Sequence, residues 1–189
     1  YNYDANGNRV SGTAGGATRA GGYDAQDRLV SYGSTSFTHT PSGQLSGRNA
    51  SGAVTQYTYG AMGNLLGVTL PGGDSIGYQV DGLGRRIGRQ VGGVATSRYL
   101  YSGNRLIAEL DGAGILVSRF AYAGGVAPVF MIRGAQTYRL LGDHLGSVRL
   151  VVDTANGSVV QRIDYDAFGK VINDTNPGFQ PFGFAGGLY

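Results

Sequence analysis

An all-β fold assembled from repeated β-hairpins is what this chain predicts, and three observations predict it. One unit recurs in imperfect copies: an aromatic residue, three turn-forming residues, glycine four places after the aromatic, then a polar or basic residue and an aliphatic, as in Tyr3-Asp4-Ala5-Asn6-Gly7-Asn8-Arg9-Val10. Asn-Gly and Asp-Gly pairs at Asn6-Gly7, Asp81-Gly82, Asp111-Gly112 and Asn156-Gly157 supply the positive φ that tight hairpins need. The runs between them are β-branched or alternating, and no window places apolar residues at helical spacing over three turns. Almost no helix is expected.

The copies follow in order. Tyr59 to Gly63 with Leu65, and Tyr165 to Gly169 with Val171, repeat the founding unit. His39 to Gly43 with Leu45, and Val80 to Gly84 with Ile87, keep its spacing but replace the aromatic, so His39 reads as a packing substitute. Tyr23 to Leu29 and Tyr101 to Leu106 read as shortened copies. The strand runs are clearest at Leu100 to Leu110, Val148 to Val152 and Ser158 to Ile163. A period of roughly 20 residues belongs to architectures in which each unit cannot bury its own face and must stack on its neighbours. Stacked aromatics imply that Tyr3, Tyr59, Tyr78, Tyr101 and Tyr165 are largely buried between hairpins.

Composition agrees with a folded, glycine-punctuated β protein. The 189 residues include 35 glycines, 41% hydrophobic residues and only 14% charged ones, fewer charges than an average domain carries. With no cysteine, disulfides and thiolate metal sites are excluded. The longest apolar stretch, Gly124 to Ile132, contains Pro128 and is too short to span a bilayer. The chain opens inside a repeat and carries no signal peptide, which leads us to expect an excised piece of a longer polypeptide.

A net charge of +3 raises nucleic-acid binding, and the distribution argues against it. Lys170 is the single lysine; the arginines spread along the repeats and cluster only at Arg85, Arg86 and Arg89. Guanidinium groups spaced in this way suit stacking on tyrosine and bonding to carbonyls better than steering a polyanion. Gly82-Leu83-Gly84-Arg85-Arg86-Ile87-Gly88 has the wrong glycine spacing for a dinucleotide loop. The acidic turns Asp24/Asp27 and Asp164/Asp166 lack the dense oxygen spacing of a calcium loop and are expected to be solvated turn carboxylates. No metal or cofactor is expected. Three Asn-x-Ser/Thr sequons start at Asn49, Asn156 and Asn173, a pattern that arises readily in turn-rich sequence.

Asp143-His144-Leu145-Gly146-Ser147 contains the residue types of a hydrolytic triad. Neighbouring residues on a strand point to opposite faces, so the reading preferred here is a turn or strand start in which Asp143 and His144 satisfy backbone groups and Gly146 permits close approach of another strand. No catalytic residue is assigned.

The Tyr-Asp units, the segment Tyr138 to Arg149 and Tyr165-Asp166-Ala167-Phe168-Gly169 resemble the bacterial Rhs family of YD-repeat proteins over essentially the whole chain. The resemblance divides it into a YD-repeat array at 1–122 and an Rhs-associated core at 123–189, incomplete at its C-terminal end. In that family, in the related toxin-complex C components and in teneurins, YD repeats wind into a spiral that closes into a hollow shell, which in bacterial members holds a C-terminal toxin. What the resemblance implies here is a non-enzymatic, exported wall segment. Its structural residues would be Tyr3, Gly7, Tyr59, Gly63, Tyr101, Tyr165 and Gly169 in the repeats, and Asp143, His144, Leu145, Gly146 and Ser147 in the core motif. The expected partners are the remaining shell and an enclosed cargo, with a homo-oligomer as an option and neither nucleic acid nor a membrane span. A self-cleaving segment and a toxin would lie beyond Tyr189. The alternatives from other classes are a surface adhesin or sugar-binding repeat, in which tyrosines face outward, an extracellular filament subunit, and a hydrolase centred on Asp143 and His144.

Overall fold

A computed structural model describes residues 1–125 and 127–188. Its elements are eighteen strands and a single 3-10 turn at Phe184–Gly186, so the all-β expectation holds. The chain forms two compact units, Tyr1–Val94 and Ala95–Tyr189.

Unit 1 is a meander of β1 (Asn2–Tyr3), β2 (Arg9–Ala14), β3 (Ala17–Tyr23), β4 (Leu29–Tyr32), β5 (Thr35–His39), β6 (Leu45–Ala50), β7 (Ala53–Tyr59), β8 (Leu65–Thr69), β9 (Ser75–Val80) and β10 (Arg86–Val91). Each strand pairs antiparallel with the next. Register gives the two faces different chemistry, because paired residues share a face. The rows Ser31–Ser36–Asn49–Val54 and Thr38–Gly47–Gln56–Thr69–Ser75 make one face uncharged and polar. Tyr57–Val68–Ile76–Val91 makes the other aromatic and aliphatic, with Phe37–Arg48–Thr55 beside it adding one arginine. Val68 is the one hydrophobic residue of unit 1 that is buried, among those described.

Unit 2 continues the pattern with β11 (Val94–Ser102), β12 (Arg105–Asp111), β13 (Leu116–Ala121), β14 (Phe130–Arg133), β15 (Gln136–Gly142), β16 (Val148–Asp153), β17 (Val159–Tyr165) and β18 (Val171–Asp174), again paired in chain order. Here a core forms. Tyr99, Leu106, Phe120, Met131, Leu140, Val148 and Val151 are buried together with Phe182, which arrives from the segment that follows β18. That segment lies against the sheet as a strap. Phe182 packs edge-on to Phe120 at 4.9 Å, Phe179 to Tyr138 at 5.1 Å and Phe184 to Tyr165 at 5.7 Å, and Arg133 donates to the Phe179 carbonyl. The strap supplies the second layer that a single sheet face needs for burial.

Candidate functional site in the repeat turns

Each copy of the repeat builds one turn, and the acidic residue after the aromatic organises it. At Asp81 the N–H of Gly84 donates to the Asp81 carbonyl at 3.0 Å and the Asp81 N–H to the Arg85 carbonyl at 3.0 Å. The Asp81 carboxylate then accepts from the N–H groups of Leu83 at 2.9 Å and Arg85 at 3.0 Å. Gly84 has φ +79°, the left-handed conformation that favours glycine. This five-residue pattern recurs with Asp4, Asp111, Asp143 and Asp166, each followed three residues later by a positive-φ glycine: Gly7, Gly114, Gly146 and Gly169. Thr40 replaces the carboxylate with a hydroxyl that accepts from the Gln44 N–H at 3.1 Å.

Two expectations are corrected by this geometry. At Asp81-Gly82 and Asp111-Gly112 the positive φ sits two residues later, at Gly84 and Gly114, because the aspartate opens the turn and the bulged position near its end takes the left-handed residue. The Tyr23 copy is full length. Asp27 occupies the glycine position at φ +59°, and its carboxylate accepts from the side-chain amides of Asn6 at 2.9 Å and Asn8 at 2.6 Å in the preceding turn. Polar residues of the left-handed class tolerate such a position best. The Tyr101 copy is shortened as expected: Ser102 pairs with Arg105 across Gly103 and Asn104.

Tyrosines tie successive turns together. The hydroxyls of Tyr23, Tyr59, Tyr122 and Tyr165 donate to the carbonyls of Arg9 at 3.2 Å, Leu45 at 2.9 Å, Leu106 at 2.8 Å and Val148 at 3.3 Å. Arg9, Leu45 and Val148 are the first strand residues after an earlier turn, and Leu106 is the second. Tyr122, which the sequence reading did not single out, takes this role at the end of β13, and burial pushes its hydroxyl up to about 12. The expectation that the repeat tyrosines are largely buried holds for four of the five and fails at Tyr3. Tyr59, Tyr78, Tyr101 and Tyr165 are half-buried, Tyr165 beneath Phe184 of the strap and Tyr101 against the core. Tyr3 is 61% exposed.

Arginines stack on the aromatics. Arg86 lies 3.8 Å from the Tyr78 ring centroid, Arg9 4.9 Å from Tyr32, Arg149 5.7 Å from Tyr165 and Arg133 5.0 Å from Phe179. Others close the turns: Arg28 pairs with Asp24 at 2.7 Å and Arg85 with Asp81 at 2.6 Å. These contacts occupy the carboxylates of Asp24 and Asp81. Asp164 bridges Arg149 at 2.9 Å and Arg162 at 3.0 Å; the Arg162 hydrogen bond, with help from Asn173, draws its carboxyl down to about 2. The Asp81 carboxyl is lowered by Arg85, and those of Asp24 and Asp4 by the N–H groups of Arg28 and Asn8.

The Asp143–Ser147 motif is another such turn. Partial burial raises the Asp143 carboxyl, but the N–H groups of Ser147 and Leu145 outweigh it and leave the net shift downward. Gly146 has φ +85°, and the Cβ that a side chain would place on Gly186 of the strap would sit 3.6 Å from the Gly146 carbonyl oxygen. His144 and Leu145 are exposed. Ser147 is fully buried, and its Oγ accepts from the Ala185 N–H at 3.0 Å. The three triad residue types are therefore spent on separate tasks: Asp143 on its own turn, Ser147 on the strap, His144 facing outward. Among the described residues no group of three or more histidines and carboxylates could hold a metal ion, and no helix is long and apolar enough to cross a membrane.

Asp-x-x-Gly turns stacked along antiparallel hairpins, with tyrosine hydroxyls and arginine planes joining one turn to another, define a repeat scaffold. The chain belongs to the teneurin YD-shell family, whose model matches residues 1–189. Teneurin-3 of Danio rerio is 28% identical over 198 residues and teneurin-4 of Mus musculus 27%; each match covers 100% of this chain and 7% of the relative. The crystal structure of TcdB2-TccC3 superimposes with a TM-score of 0.53 at 18% identity, covering 90% of this chain and 11% of that one, a likeness of fold. The chain thus spans a small fraction of the proteins it resembles.

Proposed function

We propose that this chain is a wall segment of an exported Rhs-type YD shell that encloses and delivers a C-terminal toxin or another cargo, acting as structure rather than as a catalyst. The observation that carries the reading is the tyrosine–carbonyl tie repeated from Tyr23 to Tyr165, a device for extending a sheet unit by unit. Family membership supports the wall itself, and the likeness to TcdB2-TccC3 supports a hairpin fold shared with a toxin-complex protein. In this reading residues 1–122 are the YD array and 123–189 the associated core, the partners are the rest of the shell and its cargo, and the site of action is outside the cell or on its surface.

Limited proteolysis of the intact parent polypeptide tests the proposal. The cargo should resist digestion while the shell is closed and become cleavable at the rate of the free cargo once the shell is opened by mild denaturant. Equal digestion in both states would refute enclosure.

A further inference from the structure

Gln161, at the centre of β17, is 1% exposed. Its Nε2 donates to the two carboxylate oxygens of Asp174 at 3.0 and 3.2 Å and to the Asn176 carbonyl at 3.0 Å. These acceptors fix the amide, because the flipped orientation would set Oε1 against a carboxylate. Oε1 itself is buried and takes no hydrogen bond from any described residue. A native interior rarely leaves such an acceptor unpaired.

Gln161 also lines a small chamber between β17, β18 and the strap, walled by Tyr165, Asp174, Gln180, Phe182 and Gly183. The chamber offers about 10 Å³, at the lower end of the roughly 10–15 Å³ that one water requires. The other polar walls are committed. Gln180 closes a ring on Phe182, Nε2 donating to its carbonyl at 2.8 Å and Oε1 accepting its N–H at 2.7 Å, and the Tyr165 hydroxyl donates to Val148. The missing donor therefore has to be a small molecule. A metal ion would need about six oxygen ligands, in space for one water and beside a carboxylate that already accepts from Gln161 and from the Asn176 N–H at 2.9 Å.

We propose that this chamber is a structural water site: one water donates to Gln161 Oε1, shares the Asp174 carboxylate as a further acceptor, and joins β17 to the end of β18. The site does not depend on the enclosing role proposed above.

High-resolution crystallography of the intact polypeptide carrying this chain, with and without xenon pressurisation, tests it. The expected result is a density peak about 2.7–3.0 Å from Oε1, at ordinary hydrogen-bond distance, with no xenon in the chamber. A Gln161→Met variant, which removes the acceptor at similar volume, should lose the peak. A chamber without a peak at Oε1, xenon bound there in the unsubstituted protein, or an Oε1 satisfied by a protein donor would each overturn the assignment.

Discussion

Ser147 and Ala185 are joined across 38 residues by a hydrogen bond from the Ala185 N–H to the Ser147 Oγ at 3.0 Å. The corresponding turn position elsewhere holds the polar side chains of Asn8, Arg28, Gln44, Asn64, Arg85 or Lys170, several of which reach back into a turn, or the exposed Ile115 of the Asp111 turn. At Ser147 the side chain is short and buried, so the turn that repeats elsewhere as punctuation becomes the anchor of the strap.

Ser147→Ala leaves the Ala185 N–H without its partner. Ala185 is itself exposed, so what is lost is the net worth of one hydrogen bond, about 0.5–1.5 kcal/mol, and unfolding by urea should show a loss of that size with the slope unchanged. A loss within the range of surface substitutions would mean that the strap amide finds water and that the anchor is dispensable.

Gly7 and Gly169 separate backbone strain from crowding. Both hold the left-handed conformation, at φ +83° and +82°, so alanine at either should cost roughly 1–2 kcal/mol of conformational strain. A Cβ at Gly7 meets nothing within 4 Å, whereas at Gly169 it would lie 2.6 Å from the Phe184 ring. Overpacking of that kind adds about 1–3 kcal/mol. Comparing the urea midpoints of the two variants should show Gly169→Ala as clearly the worse; equal losses would mean that the strap moves aside freely.

The repeat was legible because turn chemistry is local: tyrosine, aspartate and glycine at fixed offsets announce each hairpin whatever lies above it. What the sequence hid was tertiary. That Ser147 is buried while His144, three residues earlier, is exposed depends on where Ala185 lands. The exposure of Tyr3, against the cover over the other repeat tyrosines, was equally out of reach, since all five have the same local signature. Gly15-Gly16, Ser51-Gly52 and Gly92-Gly93, each with two consecutive positive φ values, carried a hairpin signal that the reading passed over in favour of the Asn-Gly and Asp-Gly pairs.

Acid should weaken the turns before it reaches any core. The carboxyls of Asp4, Asp24, Asp81, Asp143 and Asp164 are all lowered in the folded chain, that of Asp164 to about 2. A depressed folded pKa gives stability that is present above the unfolded value, near 3.9, and lost as pH falls through the folded one. Thermal melts from pH 5 down to pH 2 should therefore show a progressive fall, and Asp164→Asn should flatten its lower end. A melting temperature constant across that window would contradict the hydrogen-bonded carboxylates.

Glu109 should behave in the opposite sense. It sits in a cross-strand row with Tyr99, Ser118 and Arg133; burial pushes its carboxyl up, and the Arg133 charge offsets this only in part. When the folded pKa of an acid lies above its unfolded value, near 4.3, folding favours the neutral form. The penalty for the charged form is absent below the unfolded pKa and grows as pH rises through the folded one. Glu109→Gln keeps the shape and removes the charge, so it should melt higher than the parent at pH 7, with the gap closing by pH 4. Arg133→Gln should lower stability more at pH 7 than at pH 4, having removed both the offsetting charge and the donor to Phe179. A Glu109→Gln gap that stays the same at both pH values would assign the effect to packing and not to the buried charge.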